Sequence, residues 1–234
     1  MSNRRAKRGK GASRIAEIGE RVYLRVPSAR DRTEFLALRR DNRAFLERWE
    51  PLGPRGRPNF GPSAIDRFLK QARSAGNRKF LVCLREDDSI IGQVSLNGIV
   101  RMSVQSCFMG YWVASSHAHR GLMTEAVRLA LRHAFTKLKL HRVEATLMPV
   151  NAPSRALAKK CGFRFEGVAK RYLNINGRWE DHERYGITVE EWQDRVNRPA
   201  RNVPLPSRAR RQRARRRSPK GAATGARLTR SNRR

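Results

Sequence analysis

Residues 115–126 read SSHAHRGLMTEA, a polar turn running straight into a helix-forming stretch. These residue types at this spacing suit the holding of an anion. The first N–H groups of a helix have no partner inside it, and the helix dipole favours negative charge there. Gly121 would let a phosphate reach the backbone without a side chain in the way, and His119 and Arg120 would add donors. Glycine is equally good punctuation between a strand and a helix, so the stretch alone leaves both readings open. It matches neither the G-x-x-x-x-G-K-[ST] loop nor the G-x-G-x-x-G turn.

Other residues capable of chemistry lie further along. In NAPS (151–154), Asn151 reads as a helix N-cap and Ser154 as first-turn filler. Tyr172 sits in a β-rich run, and Glu50 lies between Trp49 and Pro51 as a loop carboxylate, an ammonium binder or a base. The histidines show no metal spacing, so no metal site is expected. Cys83, Cys107 and Cys161 are odd in number, without a C-x-x-C pair, and read as free buried thiols.

The elements that must position these groups follow from periodicity. VYLRVP (22–27) reads as a strand; Asp31 caps a helix through TEFLALRR; PLGPRGRPNFGP is a substrate-loop candidate; Ser63 caps a helix that Gly76 stops. KFLVCLR and IIGQVSLNGIV form a hairpin, and CFMGYWVA (107–114) another strand. The helix from Leu122 buries Met123, Val127, Ala130, Leu131, Ala134 and Leu138, with Glu125, Arg128 and Arg132 facing water. RVEATLM, a short helix closed by Gly162, and two strands around Asn176-Gly177 complete a β-α-α-β-β-β-α-β-α-β-β order. This is a single α/β domain of the α+β kind, a mixed central sheet flanked by helices, spanning 15–196.

The net charge is +32, of which the acid-free ends 1–14 and 197–234 hold 6 and 14 basic residues. Residues 15–196 keep 32 basic and all 20 acidic residues, a net +12. Both ends read as disordered basic segments. RARRQRARRR (208–217), with seven arginines, reads as a phosphate-neutralising tail for RNA or ribosome contact, or as a solvated polyelectrolyte. No run approaches 18 apolar residues, so no membrane span is expected. The N-terminus has the composition of a transit peptide without its amphipathic pattern, and a cytoplasmic location is expected.

Four separated motifs carry a family resemblance: DNRAFLERWEP (41–51), GYWVASSHAHRGLMTEA (110–126), HRVEATLMPVNAPSRALAKKCGFRFEG (141–167) and YLNINGRWEDH (172–182). From about Val22 to Trp192 the chain resembles the GNAT superfamily of acetyl-CoA-dependent acetyltransferases, and within it the ribosomal-protein-alanine N-acetyltransferases. The resemblance implies that Trp112, Val113 and Ala114 offer backbone groups to the pantetheine arm. It implies that His119, Arg120, Gly121, Leu122, Met123 and Thr124 hold the pyrophosphate, and that Asn151 bonds coenzyme and acceptor. Ser154 or Tyr172 would protonate the departing thiolate, and Trp49 and Glu50 would meet the acceptor. Met123 stands where the family carries a small residue, a methionine being familiar in this subgroup. Ala118 stands where the family carries Gln or Arg, and the missing side-chain donor implies weakened rather than abolished coenzyme binding. The implied reaction is direct transfer of acetyl from acetyl-CoA to the N-terminal α-amine of a protein, a ribosomal protein first. A small amine such as an antibiotic or polyamine, or a non-catalytic RNA-binding role on the same scaffold, stays open.

Overall fold

The computed structural model describes residues 15–53, 56, 59–72 and 74–197. All 20 acidic residues fall among them. The expected disordered ends, and with them the Arg-rich tail, lie outside the described residues.

Eight strands form one sheet in the order β1-β2-β3-β4-β5-β6-β8-β7. They are β1 (Ile15–Ile18), β2 (Val22–Arg25), β3 (Asn77–Leu84), β4 (Ile90–Val100), β5 (Ser106–Val113), β6 (Arg142–Leu147), β7 (Arg164–Ile175) and β8 (Arg178–Thr188). The helices are α1 (Arg32–Asp41), α2 (Arg43–Leu46), α3 (Pro62–Gln71), α4 (Leu122–Arg132), α5 (Ala152–Cys161) and α6 (Val189–Asn197). Alternation along β3 sends Phe80 and Val82 to one face, where α4 and α5 pack, and Leu81 and Cys83 to the other, under α1 and α3. Phe35 of α1 stacks on Phe68 of α3 (centroids 4.9 Å) and on Trp112 of β5 (5.8 Å).

Neighbouring strands are antiparallel except β5 and β6, which run parallel and pair only at Ser106↔Arg142, Cys107↔Val143 and Phe108↔Glu144. Beyond that point β5 stays on β4 as far as Val113↔Gly92, while β6 stays on β8 as far as Leu147↔Glu183. Each strand is held by its outer neighbour, so the sheet splays open between them. Gly92 keeps the β4 side tight: a Cβ there would come 2.3 Å from the Trp112 carbonyl oxygen.

Several local expectations need correction. A first strand, β1, precedes Val22. It does not show the usual alternation, because Glu17 is its buried residue (6% exposed), held by Arg132 at 2.6 Å, while Ile15 and Ile18 lie outside. Asp31 occupies the N-cap position of α1 as expected, but its carboxylate turns back to the Ser28 N–H at 2.7 Å and to Arg25 at 2.8 Å instead of bonding the first turn. Gly61 is the N-cap of α3, with Pro62 opening the helix and Ser63 inside it, and α3 ends at Gln71, before Gly76. Glu125 is turned from water to the β1–β2 turn. α6 continues the chain after β8, its Trp192 packing on Phe135 (5.4 Å). The Asn176-Gly177 turn forms as read, with φ of 48° and 85°.

Candidate active site

A cleft of about 1100 Å³ passes from one face of the sheet to the other through the β5–β6 splay. One wall is backbone. The chain leaves β5, passes His119 at φ 59° and Gly121 at φ 77°, and enters α4 with Gly121 as its N-cap. Left-handed backbone at two positions turns successive amides toward the same side. Among the described residues, the N–H groups of His119 through Thr124 donate to no acceptor. The amides of His119, Gly121, Met123 and Thr124, all cleft-lining residues at the mouth of an 11-residue helix, are an anion cradle built before any side chain is counted.

Side chains lock this mouth in place. Arg21 Nη1 donates to the Arg120 carbonyl at 3.0 Å, and Glu125 Oε1 accepts from the Arg21 N–H at 2.9 Å and the Val22 N–H at 3.3 Å. Burial acts to raise the Glu125 carboxyl, but those backbone donors outweigh it and hold it below the ordinary value. From the other direction Asn42, which is 7% exposed, accepts from the Ser115 N–H at 2.8 Å and donates to the Leu38 carbonyl at 2.9 Å. Asn42 lay unremarked within the DNRAFLERWEP motif; only the fold shows that it ties α1 to the turn.

α5 points its N-terminus into the same cleft. Asn151 caps it, its Oδ1 accepting from the Ser154 N–H at 3.2 Å, while its amide nitrogen has no partner among the described residues. The cap reading and a ligand role are therefore compatible. Ser154 lines the cleft beside Tyr111, whose Oη donates to the Ser154 carbonyl at 3.2 Å and whose phenol also interacts with the Ser154 side chain. Burial keeps the Tyr111 phenol protonated well past the usual range. Its place on β5 facing α5 is a tertiary fact, which is why the sequence did not single it out.

The opposite wall is made of side chains from α1, α2, α3 and the loop between α2 and α3. Glu50 does not stand free. Arg39, 5% exposed, grips it with both guanidinium arms, one donating to Oε2 at 2.6 Å and the other to Oε1. Arg39 also donates to the Asn59 carbonyl at 3.0 Å and lies over the rings of Phe60 (4.4 Å) and Trp112 (5.1 Å). Glu50, read from the sequence as a loop carboxylate, an ammonium binder or a base, is thus held in an ion pair at the cleft wall, and Trp49 beside it is covered by Arg48 at 5.0 Å. The β7–β8 hairpin braces this loop, Asn176 Nδ2 donating to the Glu47 carbonyl at 2.8 Å.

Of the residues singled out in the sequence, Trp49, Glu50, Trp112 and Val113 line the cleft, as do His119, Gly121, Met123 and Thr124, with Asn151 and Ser154. Arg120, Leu122, Ala114 and Tyr172 do not. Leu122 and Ala114 are buried in the core, Arg120 is exposed, and Tyr172 lies edge-on to His182 at 6.1 Å. Burial pushes the Cys107 thiol up to about 12, and Cys83 and Cys161 to about 11, so none is a poised nucleophile. Among the described residues no cluster of ligands suits a metal ion, and no helix is long and apolar enough to cross a membrane.

Residues 21–164, which contain the splay, the anion cradle and the α5 cap, match the family profile described as an acetyltransferase (GNAT) domain. The chain belongs to the GNAT family. It is 37% identical over 174 residues to the probable N-acetyltransferase YjcK of Bacillus subtilis, covering 70% of this chain and 92% of that one. It is 33% identical to the [ribosomal protein uS5]-alanine N-acetyltransferase of Escherichia coli, over 74% of this chain and 90% of that one. Among solved structures it superposes on RimJ of Mycobacterium smegmatis in complex with CoA-disulfide with a TM-score of 0.66 and 36% identity, covering 76% and 86% of the two chains. This GNAT chain is an acetyltransferase whose relatives include enzymes that modify ribosomal proteins.

Proposed function

We propose that the protein transfers an acetyl group from acetyl-CoA to the N-terminal α-amine of a protein, a ribosomal protein first, within a ternary complex. The observation that carries this reading is the run of unpartnered N–H groups at His119–Thr124, opening onto the unpaired end of β5. Those amides hold the pyrophosphate, so Ala118 in place of a Gln or Arg side chain is tolerable. The free edge from Met109 to Val113 pairs with the amides of the pantetheine arm. Acetyl-CoA supplies the activated thioester carbonyl.

The chain's own residues then orient the acceptor and move protons. Ser154, its backbone fixed by Asn151 and Tyr111 and its side chain next to the Tyr111 phenol, presents its hydroxyl as the proton donor to the leaving sulfur. An α-amine has an ordinary pKa of about 7.7–8.0. The cationic groups around the acceptor side disfavour its ammonium form, leaving the neutral amine to attack. With Glu50 engaged by Arg39, the amine's proton leaves through water, which returns it to Ser154 so that the hydroxyl is restored. Positioning accounts for most of the rate.

The same electrostatics argue against a polyamine acceptor. Glu50 is the one carboxylate lining the cleft among the described residues, against Arg39, Arg48, Arg67, Lys79 and Lys160. The Arg-rich run at 208–217 supports a tether to a phosphate-bearing surface such as ribosomal RNA, which deletion of 197–234 tests by co-sedimentation. The deciding experiment offers acetyl-CoA and the full-length protein a panel of N-terminal peptides beside spermidine, read by mass spectrometry. Acetylation of peptide α-amines is expected; faster acetylation of spermidine than of any peptide would reverse the assignment.

A further inference from the structure

Arg67 of α3 and Lys79 of β3 enter the cleft from the face that α1 and α3 cover. Lys79 Nζ donates to Gln71 Oε1 at 2.9 Å and lies 5.4 Å from the Phe68 ring centroid, and Arg67 Nη2 donates to Asn59 Oδ1 at 3.0 Å. Every one of these partners is neutral. Neither cation forms an ion pair among the described residues, which include all 20 acids of the chain. The contrast with the adjacent residue is sharp. Asp66, on the outer side of α3, takes Arg32 at 2.8 Å, while Arg67 beside it faces the cleft without a carboxylate.

Two like charges in a half-buried cleft oppose each other. Burial first, and the Arg67 charge second, push the Lys79 ammonium below its ordinary value. Three donors on Lys79 and five on Arg67 are met by one hydrogen bond each. An incoming anion would satisfy both the charge and the free donors.

The sheet register sets where that anion lies. Lys79 pairs with Ser95, and Ser95 with Gly110, which borders the splay where transfer takes place. Two strand spacings of about 4.8 Å put Lys79 about 10 Å from Gly110, and an extended peptide covers that in about three residues. We propose that Arg67 and Lys79 form a carboxylate subsite that selects acceptors carrying Asp or Glu among their second to fourth residues. This inference rests on the peptide-acceptor reading above.

The test uses full-length protein, acetyl-CoA and alanine-led octapeptides identical except for Gln, Glu or Lys at position two, three or four. In the wild type, kcat/KM for the best-placed Glu peptide exceeds its Gln counterpart about tenfold, the factor one charge-assisted hydrogen bond contributes. The Lys peptide falls below both. In an Arg67→Gln/Lys79→Gln variant the Glu-to-Gln ratio collapses toward one, and in Lys79→Glu the Lys peptide overtakes the Glu peptide. Ratios taken within one variant cancel any change in its active fraction. Equal efficiency for Glu and Gln at all three positions in the wild type overturns the subsite alone. No acetylated peptide from protein that binds acetyl-CoA overturns the subsite together with the peptide reading.

Discussion

The two walls of the cleft recognise by different means. The α4 mouth is made of backbone: the N–H groups of His119, Gly121, Met123 and Thr124, fixed by Gly121, Arg21 and Glu125. The facing wall is made of side chains, an Arg39–Glu50 pair clamped between Phe60 and Trp112 with Arg67 and Lys79 beyond. Backbone donors cannot be lost by exchanging one side chain, whereas the facing wall can be retuned residue by residue. The first suits an invariable coenzyme and the second a variable acceptor.

Charge placed in the cradle should separate the walls most clearly. Gly121→Asp and Gly121→Asn impose the same left-handed strain, which Asp and Asn tolerate, and differ only in charge. A carboxylate about 4 Å from a phosphate costs about 4 kcal/mol at an effective dielectric of 20. Calorimetry should find coenzyme A affinity reduced a hundredfold or more by Asp and only a few-fold by Asn. Equal losses would mean that shape, and not anion binding, governs the mouth.

Ser154→Ala should come next. Loss of a positioned proton donor lowers kcat by about a hundredfold, while KM for acetyl-CoA stays within about threefold, as thiol release would show. An unchanged kcat would move the acid role elsewhere, with Tyr111 the first candidate by position.

On the side-chain wall, Arg39→Ala leaves Glu50 gripping nothing. Breaking a buried pair costs about 3–5 kcal/mol. Because the Glu50 side chain keeps 20% exposure, about 2–3 kcal/mol is expected from denaturant unfolding. The same variant should leave coenzyme affinity within about threefold if the walls are independent.

The smallest effect concerns pH. Glu125 has its folded value below the ordinary 4.5, so its contribution is complete above that pH and is lost as pH falls through the folded value. Glu125→Gln should therefore cost about 1 kcal/mol near pH 7. That difference should vanish in acid, below the folded value; a gap persisting there would mean that packing, not charge, explains it.

The unequal legibility of the walls has the same origin. Gly121 before a periodic apolar stripe, Asn151 before Pro153, and Gly162 after α5 are local signals, and each forms the turn or cap expected. The helix and strand order was readable for the same reason. β1 was not, since its ladder with β2 exists without an apolar face, and α6 was not, since three turns of mixed polarity resemble the end of a strand region. Of the site residues that escaped notice, Asn42 and Tyr111 act through partners distant in sequence, whereas Arg67 and Lys79 have near partners and gain their meaning only from the cleft that the fold gathers around them. Glu50 was visible, but its engagement by Arg39, 11 positions earlier, was not.

Amide-resolved hydrogen exchange with and without saturating coenzyme A tests the central claim most directly. The amides of His119, Gly121, Met123 and Thr124, lacking protein acceptors, should exchange quickly in the free protein and slow markedly on binding, while those of α6 stay unchanged. Coenzyme A that binds while these four amides exchange as before would contradict the account.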